Sequence, residues 1–284
     1  ISYRGGYRWN HHYMNPTHTR ISSRLHTCRE SNRTALVSFV TAADPGPEYT
    51  VPALHGLVAG GVDILELGIP FSDPEAEGPA IQAANERALA QGITLAQVLE
   101  MVAEFRDGDA DTPVVLMGYL NSVLAMENFA ERAAEAGVDG LIMVNLPPEE
   151  GDRLQQQLAA HHIDLIYLLA PTTTDERAQQ IAATASGFIY YVSLKGITGA
   201  SHLQTDEVAA RLQQLRGYTP LPFCVGFGIK DATTAKALAP HADGVVVGSA
   251  LVNSMAAGGD VAAVVERLQQ QAADIRKGID AADQ

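Results

Sequence analysis

Residues 221–250, LPFCVGFGIKDATTAKALAPHADGVVVGSA, carry the pattern that decides the fold. Two short apolar runs, at 221–225 and 244–247, flank an alanine-rich stretch, and each run leads straight into glycine. The runs are continuously apolar rather than alternating, as in parallel strands covered on both faces. Strand, helix and strand in that order make one parallel crossover unit.

The same unit recurs toward the N-terminus. Apolar runs stand at 35–41, 62–67, 113–117, 140–144, 163–169 and 188–193, each followed by an Ala- and Gln-rich stretch with helical spacing. Residues 128–136 and 149–160 read as amphipathic helices, and 261–275 as the last helix. Eight strand–helix units predict one (β/α)8 TIM barrel of the phosphate-binding type, with an open doubly wound sheet as the structural alternative. Residues 19–30 carry Ile21, Leu25 and Cys28 at helical spacing, which predicts an extra N-terminal helix closing the bottom of the barrel.

The chain has 284 residues, a formal net charge of −14 and 46% apolar residues. That length suits one barrel of ~250 residues, and that composition fills a large core. The acidic field disfavours nucleic acid and anionic lipid, although backbone N–H groups can still bind a phosphate locally. Cys28 and Cys224 show neither disulfide-framework nor zinc spacing, so free thiols and a cytoplasmic location are expected, with no metal site. No apolar run reaches the ~18 residues of a membrane span. Residues 1–20 contain no acid but several Tyr, His and Arg, and read as an extension, disordered or an added leader, with Met14 a candidate start. The barrel is expected over 21–280.

In a barrel the chemistry sits at the C-terminal ends of the strands. There the seventh run leads into Gly226-Phe227-Gly228 and the eighth into Gly248-Ser249, with Gly248 and Ser249 expected to open a helix whose free N–H groups attract phosphate. After the sixth run, Lys195-Gly196-Ile197-Thr198-Gly199 adds a loop that would close over a ligand. The second run contains Glu66, which is costly to bury without a partner or a function. Burial would raise its pKa toward a value useful for acid–base work. Because both faces of the run are apolar, period-two counting leaves its direction open, and an ion pair or a rim position are the alternatives. The next loop holds Asp73, Glu75 and Glu77 in a frame of Pro70, Pro74 and Pro79. One of these facing Glu66 would make a pair of carboxyls in different environments.

Leu65-Glu66-Leu67-Gly68-Ile69-Pro70-Phe71-Ser72-Asp73-Pro74, together with Phe39-Val40-Thr41, Leu146-Pro147-Pro148-Glu149-Glu150 and Gly196-Ile197-Thr198-Gly199, closely resembles the tryptophan synthase α-subunit family. The resemblance implies retro-aldol cleavage of indole-3-glycerol phosphate without a cofactor on this chain. Glu66 would be the acid and base, Glu77 would stabilise charge at the indole nitrogen, and Tyr190 would position Glu66. Phe39, Met117, Tyr119, Val144 and Leu169 would wall the indole slot, and Thr198, Gly199, Phe227, Gly228, Gly248 and Ser249 would hold the phosphate. Asp73 and Pro74 would face a β subunit carrying pyridoxal phosphate, in an α2β2 heterotetramer.

Three residues depart from the family pattern: Glu77 and Asn145 stand where aspartate is usual, and Ala43 where glycine is usual. Glu77 and Asn145 are expected to compensate each other. Three other readings remain: a poorly catalytic partner of a β subunit, a stand-alone lyase, and a different phosphate-barrel isomerase or aldolase. A Schiff-base aldolase needs a strand lysine, and no run contains one. His161 and His162 read as surface residues at a turn, and Arg211 and Arg216 as solvated helix residues.

Overall fold

The computed structural model describes residues 19–192, 202–226 and 228–283. The first half runs α1 (Arg20–Glu30), β1 (Ala35–Thr41), α2 (Pro47–Ala59), β2 (Ile64–Gly68), α3 (Pro79–Ala90), α4 (Leu95–Gly108) and β3 (Val114–Gly118). Next come α5 (Leu120–Leu124), α6 (Phe129–Ala136), β4 (Gly140–Met143), α7 (Asp152–Ala159) and β5 (Asp164–Leu169). The chain continues through α8 (Asp175–Thr184), β6 (Ile189–Val192), α9 (His202–Leu215), β7 (Phe223–Gly226) and α10 (Ala232–Leu238). It ends in β8 (Gly244–Val247), α11 (Ser249–Ala256) and α12 (Val261–Asp280). Each strand pairs in parallel with the next, and β8 pairs with β1, so the sheet closes and the open-sheet alternative falls.

Alternation along the strands separates two layers. Val37, Ile64, Val115, Ile142 and Ile166 pack together inside the barrel, while Leu36, Leu65, Leu116 and Leu141 pack against the helices. The interior cluster includes Ile21, Leu25 and Cys28, so α1 plugs the N-terminal end as expected. Thr19 caps that helix by accepting from the N–H of Ser22.

The same end is tied together by a repeated device. Asp63, Asp139 and Asp243 stand immediately before β2, β4 and β8. Each accepts an N–H from the preceding strand: Leu36 at 2.9 Å, Val114 at 2.8 Å and Phe223 at 2.8 Å. Each also meets arginine: Arg33 and Arg276 at Asp63, Arg20 and Arg106 at Asp139, Arg216 at Asp243. A strand-start N–H that would otherwise lack an acceptor is thereby satisfied by an anion that is itself neutralised.

Three expectations change. The helix expected over 149–160 begins only at Asp152, because a short 3₁₀ turn at Pro148–Glu150 precedes it and Pro147 and Pro148 supply no N–H. The last helix runs on past 275 to Asp280. Gly278 does not end it; a Cβ there would lie 2.6 Å from the Ala232 carbonyl oxygen, so glycine lets α12 close on α10. Arg211 and Arg216 are not free in solvent: Arg211 pairs with Asp175 and donates to the Thr173 carbonyl, and Arg216 pairs with Asp243 just beyond α9. Among the described residues no helix is long and apolar enough to cross a membrane.

Replacing Asp139 by alanine removes the carboxylate that faces Arg106 and leaves the Val114 N–H without its acceptor. Arg106, whose side chain is 12% exposed, then keeps its bonds to the Gly137, Asp109 and Thr112 carbonyls. The expected cost is about 3–5 kcal/mol of stability, read as a lower urea midpoint with an unchanged slope. A loss below about 1 kcal/mol would mean that the pair is no better than a surface ion pair.

Candidate active site

At the opposite end of the barrel Glu66 lies in register between Phe39 of β1 and Val115 of β3. It shares the inward parity of Ile64, which settles the direction that the apolar run leaves open. It is 1% exposed, and neither carboxyl oxygen has a hydrogen-bond partner among the described residues. Desolvation, and secondarily the charge of Glu77, push its pKa up to about 8. An unpaired carboxyl in that setting keeps its proton at neutral pH.

Glu77 is half-buried, and desolvation raises its pKa to about 7. The loop carrying it is fastened at several points. Gln82 donates to the Glu77 carbonyl at 2.8 Å, and Asn85 accepts the Phe71 N–H at 2.9 Å. Tyr119 accepts the Ala76 N–H at 3.1 Å while its ring stacks on Phe71, with centroids 4.7 Å apart. Asp73 is exposed and Pro74 partly so, both on the outer side of the same loop.

Tyr190 projects inward from β6 beside Cys224 of β7. Desolvation first, then the charges of Glu66 and Glu77, raise its pKa well above the usual tyrosine value, so it stays a neutral O–H. A Cβ on Gly226 would lie 2.3 Å from the Tyr190 hydroxyl oxygen, which is why β7 carries glycine at that point. Glu66, Glu77 and Tyr190 thus share one electrostatic environment.

Phe39 packs with Met117, Ala84 and Val252 at the top of the barrel, and Val144 follows directly on β4. Leu169 is a correction: it packs in the outer layer against the helices, and Leu168 takes the inward position. Counting by twos from Ile166 finds Leu168, but the run is apolar at both positions and hides the parity. The loop fasteners Phe71, Gln82 and Asn85 are further residues that the sequence reading misses.

The two glycine-bearing ends differ. After β7, Gly228 adopts a left-handed φ of +78°, open to glycine, but the N-terminus of α10 is already filled by the Asp231 carboxylate in a capping box with Thr234. After β8, Gly248 is the N-cap of α11 with no side-chain cap, and Ser249 is exposed. The free first-turn N–H groups of α11 therefore form the better anion seat. Thr198, Gly199 and Phe227, and the expected 195–199 loop, lie outside the described residues.

The departures also find their places. Ala43 has a φ of +60°, the left-handed region where glycine is at ease. Asn145 is exposed and accepts the Leu120 N–H at 2.8 Å, a task that either Asn or Asp performs. Among the described residues no hydrogen bond joins it to Glu77, so the expected compensation has no direct contact behind it. No group of three or more His, Cys, Asp or Glu is arranged to hold a metal among the described residues.

Residues 25–280 match the family model described as Tryptophan synthase alpha chain. The tryptophan synthase alpha chain of Acinetobacter baumannii (strain ATCC 17978) is 55% identical over 240 residues, covering 84% of this chain and 90% of that one. That of Thiobacillus denitrificans is 52% identical over 268 residues, covering 93% and 97%. Among solved structures, tryptophan synthase subunit alpha from Legionella pneumophila str. Paris superposes with a TM-score of 0.85 at 43% identity, over 93% of this chain and 99% of that chain. A structure of Mycobacterium tuberculosis tryptophan synthase gives a TM-score of 0.83 at 33% identity, covering 92% and 98%.

A carboxyl whose folded pKa is raised lends stability that is fully present below its unfolded pKa and is lost as pH rises through the folded value. Glu66 therefore lowers stability between about 4.5 and about 8, by roughly 1.4 kcal/mol per pH unit. Glu66→Gln removes that dependence, so its urea midpoint should match the parent at pH 4.5 and exceed it at pH 8.5. Parallel midpoints across that range would contradict a buried, unpartnered carboxyl.

Proposed function

The chain belongs to the tryptophan synthase alpha chain family, and from that premise we propose how its residues carry out the family's reaction. It is a carbon–carbon lyase of tryptophan biosynthesis that cleaves indole-3-glycerol phosphate into indole and glyceraldehyde 3-phosphate. Glu66 is the acid and base. Protonated at neutral pH, its carboxyl gives a proton to indole carbon 3, which makes the ring electron-poor and weakens the bond to the glycerol chain. As that bond breaks, its electrons return to the ring, and the adjacent glycerol hydroxyl becomes the aldehyde by losing its proton to the Glu66 carboxylate. The proton account closes, and Glu66 ends as it began.

Glu77, ionised at slightly lower pH than Glu66, accepts the indole N–H and steadies the positive charge that ring protonation creates. Tyr190, kept neutral and within the field of Glu66, takes the positioning role that the family resemblance implies. Phe39, Met117 and Val144, with Leu168 rather than Leu169, offer apolar surface to the indole. Gly228, Gly248 and Ser249 hold the phosphate at the start of α11, joined by Thr198, Gly199 and Phe227 through the family resemblance.

The reaction so written draws on no cofactor from this chain. The partner is a β subunit bearing pyridoxal phosphate, in an α2β2 assembly. Asp73 and Pro74 meet it on the rim, near α5, where Leu124 is a large apolar side chain left 69% exposed. The barrel domain spans 21–280 and works in the cytoplasm.

The observation that carries this reading is the buried Glu66 carboxyl with both oxygens unpartnered among the described residues. Glu66→Gln should lower kcat for cleavage at least ~100-fold with KM within a few-fold. In the parent chain kcat/KM should be greatest between about 7 and about 8, falling above as Glu66 loses its proton and below as Glu77 gains one. A Gln variant that still cleaves at the parent rate would remove Glu66 from the chemistry.

A further inference from the structure

We propose that Tyr119 is a positioning residue for Glu77, its hydroxyl and ring together holding the 70–78 loop in register with the barrel. The assignment rests on the role given to Glu77 above and goes beyond placing Tyr119 in the wall of the indole slot. Both ends of this loop are tied to α3, through Asn85 to the Phe71 N–H and through Gln82 to the Glu77 carbonyl. Those ties leave the middle of the loop, where Ser72, Asp73, Glu75 and Ala76 are exposed, without support from α3.

Tyr119 supplies that support from the end of β3. Its hydroxyl oxygen accepts the N–H of Ala76, the residue directly before Glu77, and its ring stacks at 15° on Phe71 at the other end of the span. The ring itself is held: Tyr119 is 7% exposed and follows Gly118, the last residue of β3. Desolvation first, and then the charges of Glu77 and Glu75, raise the Tyr119 pKa, so its hydroxyl stays protonated. A rigid strand end thus fixes two points of the loop, and Glu77, directly after the second of them, inherits that rigidity. Misplacement of a reacting group by about 1 Å costs about 100-fold in rate, so a strut of this kind is read in kcat.

The test is a double-mutant cycle on the full chain, with indole-3-glycerol phosphate as substrate. Tyr119→Phe keeps the ring on Phe71 but leaves the Ala76 N–H without its acceptor. The expected result is a fall in kcat of roughly 10- to 100-fold with KM changed less than about threefold. The acid limb of the pH profile should also move below about 7, as the loosened Glu77 gains solvent. In a Glu77→Gln background the same substitution should change kcat less than about twofold, because its effect runs through Glu77. Multiplicative losses in the double variant would overturn the assignment, as would a Tyr119→Phe variant that raises KM with kcat and the acid limb unmoved. Loss of cleavage in Glu77→Gln beside parent-like Tyr119→Phe would overturn it alone, whereas full cleavage by Glu77→Gln would overturn the role of Glu77 as well.

Discussion

A carboxyl group held inside the barrel with neither oxygen hydrogen-bonded among the described residues is the constraint on which the rest of the arrangement turns. Burying such a group is costly when ionised, so the group stays protonated and waits for a substrate to relieve it. The opposite end of the barrel is instead held by ion pairs and hydrogen bonds. Asp63, Asp139 and Asp243 each join a strand N–H to at least one arginine, and α1 fills the barrel mouth beneath them.

A similar contrast separates the two helix N-termini that face the phosphate end. The seven-residue α10 closes its own N-terminus with Asp231 and Thr234, so no ligand anion is needed there. The eight-residue α11 begins at Gly248 without a side-chain cap. In the function proposed above, a phosphate at α11 anchors a substrate whose indole then extends toward Phe39 and Glu66. Binding energy from the phosphate can thereby be used to orient a reacting carbon that offers few polar handles of its own.

All eight strands were legible as continuous apolar runs between helical stretches, but the choice between a closed barrel and an open doubly wound sheet is decided only by the pairing of β8 with β1. The acid–base pair was legible as residue types and less so as geometry. Glu66 and Leu169 lie in runs apolar on both faces, where alternation carries no sign; Glu66 points inward and Leu169 does not. The Gly-Val-Asp repeats at 61–63 and 137–139 were a visible signal of the strand-start device, but an aspartate before a strand gains meaning only when its arginines arrive from elsewhere in the chain. Gly278 lies inside α12, where its missing side chain allows the close approach to α10. The fastening of the Glu77 loop joins residues 71, 76, 82, 85 and 119, and no local pattern announces such a junction.

The most direct test of the account is the titration of the Glu66 carboxyl itself, followed by carbon-13 NMR in chain labelled at glutamate and assigned by its absence from Glu66→Gln. The account predicts a midpoint at about 8 in the free chain. A midpoint near ~4.3, the ordinary glutamate value, would contradict it, because a carboxylate ionised at neutral pH has no proton to give to the indole ring.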